Sequence, residues 1–97
     1  MPEIVYLPEV RCTVSEGLRG DDITVEVRDE TGRRQFLHVT TGLVNHEGGV
    51  DYLPVGFVDI DRRGGRVLIE LPAEADSGAN RIWVGFDALR QEAGVVA

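Results

Sequence analysis

The sequence predicts an all-β domain: a small barrel or a strongly bent antiparallel sheet of five to six strands, ending in a short C-terminal helical turn. Three observations carry this expectation. Residues 23–28 alternate cleanly, with Ile23, Val25 and Val27 on one side and Thr24, Glu26 and Arg28 on the other, the period-two pattern of a half-buried strand. Residues 52–86 read as three apolar runs separated by turn formers, a compact antiparallel meander that holds most of the core. The glycine-rich turns and near-absence of helical patterning point the same way.

Taken in order, residues 3–7 alternate weakly, and Pro8 marks them as an edge strand or a lead-in. Residues 10–14 alternate as a strand, and 15–22, rich in Gly, Ser and Asp, read as a loop. After the strand 23–28, Asp29-Glu30-Thr31-Gly32 makes a turn and Arg34–Thr40 returns as the second arm of a hairpin. Residues 41–51 combine Leu43-Val44 with Gly42, Asn45, Gly48 and Gly49, a loop with room for a short helical turn. The meander follows, as strands 52–60, 66–71 and 81–86 with a turn at Arg62-Arg63-Gly64-Gly65. Val67, Ile69 and Leu71 share one side with Ile82, Val84 and Phe86, which puts Leu68 and Trp83 on the other. Asp87 is an N-cap residue ahead of helix formers, so one helical turn is expected over 87–92.

The 97 residues make one domain, 1–97, with 1–9 as a lead-in and 93–97 as a flexible tail. A chain this short buries roughly 60–65% of its unfolded surface, so the core is thin and leaves little material for a deep cleft. The net charge is −7, and all ten basic residues are Arg. That sign disfavours sequence-independent attraction to nucleic acid or to anionic membrane. No apolar run approaches the roughly 18 residues of a membrane span, and no leader pattern opens the chain, so a cytoplasmic location is expected. The single cysteine, Cys12, belongs to no disulfide or zinc pattern and reads as a small buried hydrophobe.

The order of two paired strands, a longer loop, a three-stranded meander and a terminal helical turn resembles the SH3-like barrels over roughly residues 10–90. The resemblance implies the barrel only. Peptide-binding SH3 domains carry an aromatic and acidic loop ahead of paired tryptophans. Here the acidic loop 15–22 has no Tyr, and Trp83 stands alone, so recognition of proline-rich peptides is not implied.

Several patterns carry potential chemistry. Asp59, Asp61, Gly64 and Glu70 have the spacing of a calcium loop. Arg63 occupies a donor position, however, and the flanks are strand-like, so a hairpin tip explains the segment better and no metal is expected. Arg19-Gly20-Asp21 matches an integrin-read tripeptide, a match short enough to arise by chance. His38 and His46 lack the spacing of a metal pair. Ser77 in Asp76-Ser77-Gly78 lacks a nucleophile elbow and reads as turn chemistry. No catalytic constellation, phosphate loop or cofactor motif is present, so a non-catalytic role is expected.

The expected role is protein interaction or self-association, through a protein partner or a second copy of the chain. The expected contact surface is built on Trp83 and Leu68, with Tyr52 or Phe57 beside them, unless the bend of the sheet or a loop covers that face. A nucleic-acid-binding barrel is the alternative. It would use Arg62, Arg63 and Arg66 at one hairpin tip, reinforced by Arg33-Arg34 if the two tips meet.

Overall fold

The computed structural model describes residues 4–17 and 20–93. These residues form nine strands: β1 (Ile4–Glu16), β2 (Asp22–Arg28), β3 (Arg34–Thr40), β4 (Asn45–Glu47), β5 (Val50–Pro54), β6 (Gly56–Asp61), β7 (Arg66–Glu70), β8 (Arg81–Gly85) and β9 (Leu89–Ala93). They build two antiparallel sheets. The six-stranded sheet runs β3-β2-β1-β5-β4, with β9 also paired to β1, and the three-stranded sheet runs β6-β7-β8. The all-β class and the 23–28/34–40 hairpin stand as expected, and the three-stranded meander is present but begins at Gly56, not Tyr52. The sheets do not close into a barrel.

The long strand β1 organises the fold. Its first residues pair with β9, residues 9–12 with β5 and residues 13–16 with β2. Val10 pairs with both Leu53 and Leu89, so β5 and β9 lie on opposite edges of β1 at that point. At ~3.3 Å per residue, its 13 residues would span about 43 Å, close to the molecule's longest extent of 46 Å. Residues 4–7 of the weak run and the strand at 10–14 are thus one element. Pro8 is tolerated inside it because the β1–β9 register is irregular between Tyr6 and Val10, where no regular ladder donor is required.

Three further features differ from the sequence pattern. The run 52–60 is two strands in different sheets, parted at Val55. The segment 41–51 has the expected short helical turn (Thr41–Leu43), but it also contains the short strand β4 and the start of β5. The C-terminal helical turn is only Phe86–Ala88, and the following residues form β9. Helix formers yield to strand there because β1 offers an unpaired edge, and tertiary pairing outweighs a weak local propensity. The tail 94–97 lies outside the described residues, as do Leu18 and Arg19.

The core lies between the two sheets. Val25 faces Leu37 across β2–β3, while Val67 faces Val84 and Ile69 faces Ile82 in the meander, and all six are buried. Leu71 and Leu89 are buried with them. Gln35, the one buried polar residue among the described residues, accepts a 2.6 Å hydrogen bond from the Ser77 hydroxyl, so its amide oxygen is not orphaned. In the β2–β3 turn, Asp29 accepts from the Thr31 and Arg33 N–H groups at 3.0 Å each, and Gly32 takes φ +82° at no steric cost.

Candidate functional site

The residues expected to form the binding face fall into three places. Trp83 on β8 and Leu68 on β7 are direct cross-strand partners and both are half-buried. The Arg66 guanidinium lies 4.4 Å from the centre of the Trp83 ring, within cation–π range. Arg66 is held there by Asp61 (2.9 Å) and by Glu30 (2.5 Å), and the Glu30 N–H donates to the Trp83 carbonyl at 2.8 Å. The β2–β3 turn is therefore docked on β8, and part of the Trp83 face is covered by the chain itself. Tyr52 lies on β5 in the other sheet, under the Arg90 guanidinium at 5.2 Å. Arg62 and Arg63 are exposed at the β6–β7 tip.

The two hairpin tips do meet, but through opposite charges. The hydrogen bonds that Arg66 donates to Asp61 and Glu30 push its pKa up and hold its charge in place. The Gly64 N–H and Arg66 together hold the Asp61 carboxyl below its ordinary range. A side chain at Gly64 would meet Asp61 Oδ2 at 2.5 Å, so the clasp needs glycine there. Beside the clasp a shallow cleft of about 650 Å³ carries Arg11, Arg28 and Arg66 against Glu26, Asp29, Glu30 and Asp87. The mixed signs leave it without a net attraction for phosphate.

The calcium-like spacing is spread along the β6–β7 hairpin. Asp59 pairs with Leu68 and Asp61 with Arg66, so they lie opposite positions two and four residues of β7 from Glu70, roughly 7 and 13 Å along the strand. Asp61 is engaged by Gly64 and Arg66, and Glu70 by Arg81. Among the described residues no group of three or more His, Cys, Asp or Glu side chains is placed to hold a metal ion.

The histidines act as tethers. With His38 Nε2–H donating to Asp76 at 3.2 Å, its Nδ1 accepts the Thr24 hydroxyl at 3.2 Å. This hydroxyl–imidazole–carboxylate order stands on open surface, with 49% of His38 and 63% of Asp76 exposed. Together with the Asp76 N–H bond to the Phe36 carbonyl, it fixes the β7–β8 loop to β3. His46 pairs with Asp51 across β4–β5. Cys12 is buried, and burial, followed by the nearby Asp51 charge, pushes its thiol pKa up to about 12, leaving it protonated and inert as a nucleophile. Among the described residues no helix is long and apolar enough to cross a membrane.

The least covered apolar surface lies elsewhere, along a seam between the sheets. The β5–β6 ribbon follows β1 as far as the Val55 N–H bond to the Pro8 carbonyl at 2.9 Å. Pro8 has no N–H to return that bond, and Pro54, opposite Glu9, has none either. The ladder stops there, β6 turns away to pair with β7, and β1 continues alone on that edge. Among the described residues, Gly56–Asp61 has no strand partner except β7, and residues 4–7 pair only with β9.

A bulge sharpens the consequence. The β6–β7 register shifts between Phe57 and Asp59, so Phe57 pairs with Ile69 and Ile60 with Val67. Both therefore point to the core side, three residues apart. Both remain exposed, at 41% and 50%, because the core has no element over them. With Tyr6, Phe86, Val67 and Leu89 they line a hollow of about 140 Å³, with Arg62 at its rim. The Tyr6 and Phe86 rings pack against each other at a tilt of 39°, with centres 5.4 Å apart. The sequence pattern missed Tyr6 and Ile60 as surface residues. The signal present was the pair Pro8 and Pro54, which together end a ladder.

No protein-family model, curated protein or solved structure matches this chain.

Proposed function

We propose that this chain is a non-catalytic protein-interaction module whose contact surface is the open seam between β6 and β1. One observation carries the reading: Phe57 and Ile60 point to the core side of their sheet, yet stay exposed beside an unpaired strand edge. Natural sheets usually cover, charge or shorten such an edge, and an apolar one left open invites a partner. Its single free, buried Cys12 fits a reducing, cytoplasmic setting.

Two variants test the location. Binding of a hydrophobic fluorescent dye should fall in Ile60→Asp and persist in Trp83→Ala. The reverse result would return the contact to the Trp83–Leu68 face. Self-association belongs to the same class of function, and light scattering over a range of concentrations reads it directly.

The nucleic-acid alternative is weaker on this geometry. Arg66 is committed to two carboxylates and to Trp83, leaving Arg62 and Arg63 on a chain of net charge −7.

A further inference from the structure

We propose that the seam is closed by a second copy of this chain, with the two β6 strands side by side and antiparallel about a two-fold axis at Ile60, so that the two three-stranded sheets join into one. The inference rests on the seam being the contact surface and adds what occupies it.

Three features of the β6–β7 hairpin select a second copy. First, β6 carries no buried residue, although Phe57, Val58 and Ile60 are large and apolar, at 41%, 41% and 50% exposure. An isologous contact sets like against like. With Ile60 opposite Ile60 of the second copy, the two Cβ atoms stand about 4.5–5.5 Å apart on the core side and cover the mouth of the hollow beside Tyr6 and Phe86. Second, this one hairpin carries both signs of charge. Asp59 on β6 and Arg62 and Arg63 at the tip are exposed, and none of the three makes an ion pair among the described residues. In the antiparallel arrangement Asp59 falls opposite Asp61 of the second copy, already paired with its own Arg66, and diagonal to Arg63 of the second copy, within reach of a long side chain. A parallel arrangement sets Asp59 against Asp59, so the pattern is complementary to itself only about the two-fold axis. The Ile60 N–H now donates to the Asp59 carboxylate at 2.8 Å. In the dimer the Ile60 carbonyl of the second copy takes that N–H and frees the carboxylate for Arg63. The net charge of −7 opposes association at long range, but physiological salt screens it beyond about 8 Å, which leaves the local pattern to decide. Third, the pairing closes. The other edge of this sheet, β8, is met by the β2–β3 turn, whose Glu30 N–H donates to the Trp83 carbonyl at 2.8 Å. Two copies therefore complete each other through β6, and no further copy adds to the sheet.

Light scattering over a range of concentrations should show a reversible dimer, with amide exchange at residues 56–61 slowing as it forms. Two charge-swapped chains carry the decisive arm. Asp59→Arg in one chain, and Arg62→Asp with Arg63→Asp in the other, each bring like charges together and should weaken their own dimer at least about tenfold. Mixed in equal amounts, the two chains restore opposite charges at both contacts and should form a mixed dimer with the affinity of the unaltered chain, which also shows that both variants fold. Ile60→Asp should stay monomeric, and Trp83→Ala should dimerise unchanged. A chain that remains monomeric at every soluble concentration, swapped chains that dimerise as well as the original, a mixture that fails to recover the dimer, or protection appearing elsewhere would overturn the proposal. If that monomer still binds hydrophobic dye and Ile60→Asp removes the binding, the seam stands as the contact surface with a different occupant. If Ile60→Asp leaves the dye bound, the interaction reading at the seam falls with the proposal.

Discussion

Cys12 and Arg66 show how much a single position depends on what folding brings to it. The Cys12 thiol, raised to about 12 from an ordinary value of 9.0, stays neutral in the folded chain where the unfolded chain ionises. A folded-state pKa raised above the unfolded one stabilises below the unfolded value and loses that contribution as pH climbs toward the folded one. Stability should therefore hold up to about pH 9 and then decline toward 12, as read by chemical denaturation across pH. A Cys12→Ala chain should lose that alkaline decline. A thiol reagent at neutral pH should label the native protein slowly and the denatured protein at once. The acid limb has the opposite sign. Asp29 and Asp61 are held below the usual carboxylate value of 3.8 by hydrogen bonds formed in the fold. Their contribution is present above that value and is lost as pH falls through the folded pKa. Arg66→Ala removes the partner of both Asp61 and Glu30 and uncovers the Trp83 ring. It should lower the midpoint of thermal unfolding and shift Trp83 fluorescence to the red. An unchanged emission maximum would mean that Arg66 does not cover the ring in solution.

Among the elements, β6 and β7 share a hairpin and differ sharply in what their side chains contribute. Ile69 on β7 is fully buried against Ile82, so Ile69→Ala should cost about 2–5 kcal/mol through lost transfer energy and a residual cavity. Ile60 on β6 points to the same side but sits half in solvent, and Ile60→Ala should cost under about 1 kcal/mol. Urea denaturation of the two variants measures the difference, and a large loss at Ile60 would mean that the seam is packed shut. Much at this scale was legible in the sequence. Ile23, Val25 and Val27 announced β2, and Val67 and Ile69 set the inward phase of β7. The alternation could not reveal the bulge at β6, because one extra residue moves Ile60 into the phase of Phe57 without any turn former to mark it. Nor could it reveal β9, whose Ala, Leu, Arg, Gln and Glu suit a helix until the free edge of β1 is known.

For the molecule as a whole, charge and openness make the remaining prediction. With net charge −7 and its hairpin tips joined by opposite charges, the chain should give no mobility shift with RNA or DNA even at low salt, where such binding is strongest. A shift that Arg62→Ala or Arg63→Ala removes would reinstate the nucleic-acid alternative. The sequence by itself determined the all-β class, the β2–β3 hairpin, the meander and its inward-facing residues, because these follow from side-chain period and turn chemistry within a few neighbours. Only the tertiary structure decided that the sheet stays open, that Arg66 covers part of Trp83, and that Tyr6, Phe57, Ile60 and Phe86 share one groove. Those outcomes depend on which distant strands pair. Pairing here ends where two prolines far apart in the chain meet without a hydrogen to donate.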